Sequence, residues 1–196
     1  KLVMPKIQEE RELEIIYSGV YSAPVEGTAG NAADSYDGFE KIMDDYDTAG
    51  AITPIPLGTI TSANAFDKLE EFHDNLPFKH QQREMQVFMS DTIRKWVARD
   101  RRATYGTNAN YDPMSQNGKI DFTNHSLVAL PSMAGKQRIW TTPKRNMVRL
   151  FDKVESQRLT WRIESEDRKV KIFADWHEAV GFAIPGLVFI SDGETA

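Results

Sequence analysis

The sequence predicts an α+β domain, because helical spacing of apolar residues governs its first half and strand-like alternation its second. The runs around Tyr36–Tyr46 and Ala65–His73 repeat apolar side chains every three or four positions. By contrast, Leu159, Trp161 and Ile163 alternate with Thr160 and Arg162, as a strand with one wet face would. Between the halves, Met85 to Tyr105 packs a short apolar strand, a cap and an amphipathic helix into one run.

Residues 5 to 17 read as the end of a helix. Glu9, Glu10, Arg11, Glu12 and Glu14 have good helix propensity, and Leu13, Ile15, Ile16 and Tyr17 carry the chain into a core. A small-residue loop from Ser18 to Ala33 follows, broken by Gly19, Pro24, Gly27 and Gly30. Asp34 or Ser35 is then placed to cap a second helix with Tyr36, Phe39, Ile42, Met43 and Tyr46 inward. Pro54 and Pro56 interrupt an extended stretch. A third helix is expected from about Ser62 until Pro77 stops it. Its Ala65, Phe66, Leu69, Phe72 and His73 share one arc, opposite Asp67, Glu70, Glu71 and Asp74.

Val87, Phe88 and Met89 form the central strand, and Ser90 can cap the helix behind it. Asp91 suits the positive end of that helix. Ile93, Trp96 and Val97 fall on one face, with Asp100 leaning toward it and expected to pair with a neighbouring base. Arg94, Lys95, Arg99, Arg101 and Arg102 spread over the other side. Gly106 to Lys119 is a long polar loop with Asp-Pro and Asn-Gly turn signals, a length usually tied to function or to mobility. Strands are then expected at 126–130, 138–142, 147–151, 158–163, 170–174 and 179–190. They are expected to be antiparallel, the last bent by Gly181, Pro185 and Gly186.

Composition bounds the function. Apolar residues make up 40% and charged residues 27% of 196, an ordinary globular balance. No run of 18 apolar residues exists to span a membrane, and no charged and then apolar leader opens the chain as given. The absence of cysteine excludes disulfides and thiolate chemistry and fits assembly in a reducing cytoplasm; the Asn124-His125-Ser126 sequon then reads as accidental. The net charge of −5 argues against a dedicated nucleic-acid binder. Charge is unevenly placed: residues 9–50 hold eleven acids and two bases, and residues 136–171 hold eleven bases and five acids. Such polarity can steer copies of one molecule together.

The chemical motifs fail on inspection. His177-Glu178-Ala179-Val180-Gly181 begins like a zinc-protease helix but has glycine where the second histidine must stand. Asp45-Tyr46-Asp47-Thr48-Ala49-Gly50 begins like a calcium loop, yet puts Ala49 at the fifth position and Pro56 at the twelfth, where a bidentate glutamate is needed. The Asp67, Glu70, Glu71 and Asp74 face has nothing polar opposing it in sequence and reads as solvated. His73 reads as a buried or boundary histidine. No phosphate-cradling glycine loop and no Gly-x-Ser-x-Gly elbow is present. We therefore assign no catalytic, cofactor-binding or metal residue and expect no cofactor. The helix face 94–102, with Trp96 and Tyr105 nearby, is the best nucleic-acid candidate, although Trp96 sits with the core residues.

Several stretches together resemble the major capsid protein of tailed phages, with its Hong Kong-type shell fold. They are Arg11-Glu-Leu-Glu-Ile-Ile-Tyr-Ser-Gly19, like the end of that family's spine helix, and Ala63-Asn-Ala-Phe-Asp-Lys-Leu-Glu-Glu-Phe72. The strand into Met89-Ser90 with its arginine-ended helix follows, then Leu127-Val-Ala-Leu-Pro-Ser-Met133, Arg138 to Arg149, Val170 to Trp176 and Gly181 to Ile190. They occur in the family's order over roughly residues 10–192. The resemblance implies an axial domain, residues 34–150, of helices around a small mixed sheet. Residues 1–33 would end the spine helix, and residues 151–196 would return as strands through the peripheral domain. The family normally places an N-terminal arm, an extended loop and most of the spine helix before the point where Lys1 stands, so a fragment or processed product is expected.

The implied function is structural. Copies would form pentamers and hexamers of an icosahedral shell around DNA, with no enzymatic activity. Scaffold or portal proteins would be possible partners, DNA would be touched only non-specifically, and no membrane would be involved. The protein would be made in the bacterial cytoplasm and end in the virion. The acidic and basic segments would meet across subunit edges, and the Gly106–Lys119 loop would point to the capsomer axis. Two other classes remain open: a nucleic-acid-binding module using helix 94–102, and a hydrolase of dispersed carboxylates marked by a deep pocket of converging acids.

Overall fold

In the computed structural model, residues 3–28, 30–105, 119–120, 123–151, 160–166, 169–175 and 178–193 are described. Helix α1 (Val3–Glu10) continues through one π turn, Arg11–Ile15, in which the Ile16 N–H donates to the Arg11 carbonyl at 2.9 Å. Ile15, at the end of that turn, and Tyr17 just beyond it are both buried. The remaining helices are α2 (Phe39–Thr48), α3 (Ala65–Asp74), α4 (Phe78–Gln81) and α5 (Asp91–Tyr105).

The second helix starts later than its sequence suggests. Asp34 closes a short 3₁₀ turn, Ala32–Asp34, and Gly38 precedes α2, so neither Asp34 nor Ser35 caps it and Tyr36 lies ahead of it. The cap comes from backbone. The N–H groups of Gly38, Phe39 and Glu40 donate to the carbonyls of Gly19, Ile16 and Tyr17 at 2.8, 3.0 and 2.9 Å. The unpaired carbonyls ending one helix thus satisfy the unpaired donors starting the next. This approach requires glycine: a Cβ on Gly38 would stand 2.5 Å from the Tyr17 carbonyl oxygen, and one on Gly19 would stand 2.6 Å from the Ile15 and Tyr36 oxygens. Helix α3 begins three residues after Ser62, because Asn64 accepts the Thr61 N–H at 2.7 Å and its own carbonyl accepts from Lys68.

A four-stranded mixed sheet, ordered β2-β1-β3-β8, is the centre of the molecule. Strand β1 (Gln86–Met89) pairs parallel with β2 (Ser126–Ala129), Val87 opposite Leu127, and antiparallel with β3 (Trp140–Thr142), Phe88 opposite Trp140. Strand β8 (Phe189–Ile190) closes the other edge against β3. The antiparallel expectation therefore fails at β2. A parallel neighbour needs a crossover, and α5 stands between β1 and β2 in the chain. Ser90 caps α5 as its position suggests, accepting the Ile93 N–H on its hydroxyl.

The stretch 179–190 is two strands, not one bent strand. Glu178–Phe182 (β7) pairs with β4 (Met147–Phe151), and a 3₁₀ turn at Pro185–Leu187 separates it from β8. Buried Asn146 holds that turn. Its amide donates to Thr142 Oγ1 at 2.9 Å and to the Ile184 carbonyl at 3.0 Å, while its Oδ1 accepts the Ile184 N–H at 2.8 Å. Strands β5 (Thr160–Glu166) and β6 (Lys169–Asp175) form an antiparallel hairpin.

Both faces of the central sheet are covered, which explains the unbroken apolar run of β1. Val87 and Met89 face Phe66, Leu69, Phe72, Ile93 and Val97 of α3 and α5. One residue out of phase, Phe88 joins Trp140, Tyr17, Met43, Phe182 and Ile190 on the other side. Trp140 is 1% exposed and stacks on Phe88 with centroids 4.3 Å apart. The protein is thus a mixed α+β fold around a small mixed sheet, and among the described residues no helix is long and apolar enough to cross a membrane.

Candidate functional site

A groove of about 220 Å³ lies between α3, α5 and β2. Its floor is apolar, made by Phe66, Leu69, Val97, Ile120 and Leu127. Its rim is cationic: Arg94, Lys95 and Arg101 from α5, and Lys119 from the approach to β2. Helical spacing sets this composition, since Arg94, Ala98 and Arg101 lie one turn apart beside the buried Val97. Asp91, which does not line the groove, takes Arg94 at 2.9 Å and Lys95 at 2.5 Å. The Arg101 guanidinium lies 6.0 Å from the Tyr105 ring, which itself meets Phe66 edge-on.

Asp100 departs from its expected pairing with a base. Its carboxylate accepts the Phe66 backbone N–H at 3.0 Å, capping α3 from a neighbouring helix. Trp96 packs, partly buried, against the α3–α5 core, as the wheel predicts.

A second polar cluster centres on Glu178, 2% exposed at its side chain. Its Oε1 accepts from Arg11 Nη2 at 2.5 Å and from Arg149 Nε at 2.7 Å. Burial opposes ionisation there, but the two guanidinium hydrogen bonds outweigh it and hold the carboxyl below the usual glutamate range. Burial, with the Glu178 charge nearby, pushes the Tyr36 hydroxyl up to about 12. The glutamate of the failed zinc motif is a strand residue locked between two arginines. His177 lies outside the described residues.

Three histidines form the third cluster. The His73 and His125 rings meet edge-on with centroids 4.8 Å apart, and His125 Nε2 lies 3.0 Å from the His80 carbonyl oxygen. His80 packs against Phe189. Burial lowers the pKa of both His80 and His125 below the ordinary histidine value. His73 occupies the boundary position expected of it, its side chain 12% exposed beside Asp74.

The calcium-like run begins in the last turn of α2 and ends beyond it at Gly50, with φ +68°. Of the acidic α3 face, Glu71 pairs with Lys68 at 2.7 Å. Among the described residues, no three histidine, aspartate or glutamate side chains converge as metal ligands. Parts of the acidic and basic segments meet within the chain: Lys136 with Glu40 at 3.0 Å and Arg138 with Asp44 at 2.7 Å. These pairs tie α2 to the approach to β3. The polar loop lies outside the described residues except for Lys119, which bridges Ser126. The Glu178 and histidine clusters leave no local sequence signal, because Arg11 and Glu178 stand 167 residues apart and His80 and His125 stand 45 apart.

No protein-family model matches the chain, and no curated protein matches its sequence.

Proposed function

We propose that this chain is a shell-building subunit of the tailed-phage major capsid type, acting by self-assembly into pentamers and hexamers around DNA. One observation carries the reading: the run of family-like segments from Arg11 to Ile190 occurs in order along the chain. Support comes from the architecture that these segments adopt, in which helices α3 and α5 flank a small mixed sheet with strands β2, β3 and β8 around β1. In this reading residues 34–150 form the axial part and the chain on either side the peripheral part, with β8 returning to pair with β3 in the axial sheet.

The polar groups support a structural role as well. Glu178 binds two arginines, Asp100 caps α3, and Asn146 ties β3 to the turn before β8. Each holds elements together. In this reading the protein is not an enzyme, DNA is contacted only through non-specific charge, and scaffold or portal proteins are further partners.

Electron microscopy of the intact gene product expressed alone tests the proposal. Closed shells or five- and six-fold rings are expected. A monodisperse monomer at all concentrations, without rings, rejects the reading.

A further inference from the structure

We propose that the groove between α3, α5 and β2 receives the acidic N-terminal helix of a second copy of this chain, with Leu13 entering the apolar floor and Glu9 and Glu12 meeting Lys95 and Lys119. The inference rests on the self-assembly reading and names the surfaces through which one contact is made.

The groove suits a side chain better than a cofactor. At about 220 Å³ it is smaller than the roughly 300–1,000 Å³ of pockets that enclose small ligands. It is an apolar floor inside a cationic rim, on a chain whose net charge is −5. The occupant that matches is an apolar knob ringed by acids. The exposed pair between Asp91 and the Arg94–Lys95 rim is worth little and exchanges readily.

This chain displays such a knob. Leu13 is 42% exposed, its neighbours Glu12 and Glu14 are exposed, and Glu9 stands one turn before it. Two of the other exposed apolar side chains have the wrong company. Phe78 stands beside Lys79, and Leu150 beside Arg149, so a cationic rim would repel their surroundings.

The two surfaces cannot meet within one chain. The residues after Leu13 enter the Trp140 side of the sheet through Tyr17, whereas the groove is cut into the α3–α5 side. The contact must therefore join different copies through different patches. Such head-to-tail contacts close into rings when the rotation between copies divides a full turn, the geometry a capsomer requires.

The cysteine-free chain makes the test clean. Leu13→Cys in one preparation and Ala98→Cys in another place thiols at the knob and in the groove, both at exposed positions. Mixed under mild air oxidation, they are expected to form a disulfide heterodimer at least about tenfold faster than Leu13→Cys mixed with the exposed control Glu84→Cys. Raising the salt should narrow that gap. Charge reversal gives a second readout. E9K/E12K and K95E/K119E should each lose self-association in sedimentation velocity, and mixing the two should restore it, because every tail then finds a complementary groove. Cross-linking at the control rate, or a mixture no more associated than its components, overturns the proposal. Shells without this cross-link would remove the contact and leave the shell reading intact. The cross-link without shells would leave the contact and remove the shell reading.

Discussion

At Gly38 a single hydrogen atom separates a working helix junction from a clash. An added Cβ would lie 2.5 Å from the Tyr17 carbonyl oxygen and 2.7 Å from that of Ile15, and both are backbone atoms that cannot swing aside. Gly38→Ala should therefore cost roughly 3 kcal/mol, at the upper end of overpacking penalties, read as a lowered urea midpoint. Gly186→Ala, with nothing within 4 Å of its added carbon, should stay near wild type. Glu178 supplies a pH-dependent counterpart. Its folded-state pKa is depressed, so its stabilising effect is complete above the unfolded value and fades as pH falls through the folded one. Glu178→Gln should lose roughly 2 kcal/mol at neutral pH, below the usual figure for a broken buried pair because Arg149 is half exposed, and should flatten the acid limb below about pH 4.5. The histidines act at a higher pH. His80 and His125 are held below their unfolded values, so folding favours their neutral forms and stability declines as pH drops below about 6.5. His73, Asp74, Lys79 and Arg83 set the field around them. His125→Gln should reduce the slope of the unfolding midpoint between pH 7.5 and 5.5, and an unchanged slope would remove the pair from this role.

Among the elements, α5 makes three kinds of contact, and its sequence discloses two of them. The Ile93–Val97 stripe buries against α3 and Ser90 caps the start, both readable from spacing and from the chemistry of the first turn. Asp100 is different. Its partner is the N-terminus of α3, 34 residues earlier, so wheel geometry correctly turns it inward but cannot say whether a base or a helix end awaits it. Asp100→Ala should remove that cap and its favourable charge at the helix end. A loss of about 1–2 kcal/mol is expected, with faster amide exchange confined to the first turn of α3. The start of α2 departs from its local signal for a related reason. Asp34 and Ser35 are good caps in isolation, but the donors of α2 reach the carbonyls of Gly19, Ile16 and Tyr17 instead. Local periodicity reveals helices and strands. Partners brought together by the tertiary fold, such as the β1–β2 parallel ladder or the Arg11–Glu178–Arg149 triad, leave no trace at that range.

The whole molecule is organised by one thin sheet with a core on each side. Val87 and Met89 belong to the α3–α5 core, and Phe88 between them belongs to the core of Trp140, Tyr17 and Phe182. Neither core can dissolve while β1 keeps its place, and β1 cannot keep its place once either core is gone. Lys136–Glu40 and Arg138–Asp44 add to this coupling by tying α2 to the segment that enters β3. The two sides should therefore unfold as one cooperative unit. Leu69→Ala, made wholly within the α3–α5 core, tests this at a distance. Removing that 1% exposed side chain should cost roughly 3 kcal/mol, which corresponds to about a hundredfold increase in exchange through global opening. Hydrogen exchange followed by mass spectrometry should show that increase for peptides covering Phe39–Thr48, across the sheet, as well as for those covering Ala65–Asp74. Acceleration confined to the α3 peptides would mean that the faces open independently. A protein whose two faces unfold together can pass a force applied at its acidic N-terminal helix, through the sheet, to the cationic groove on the other side.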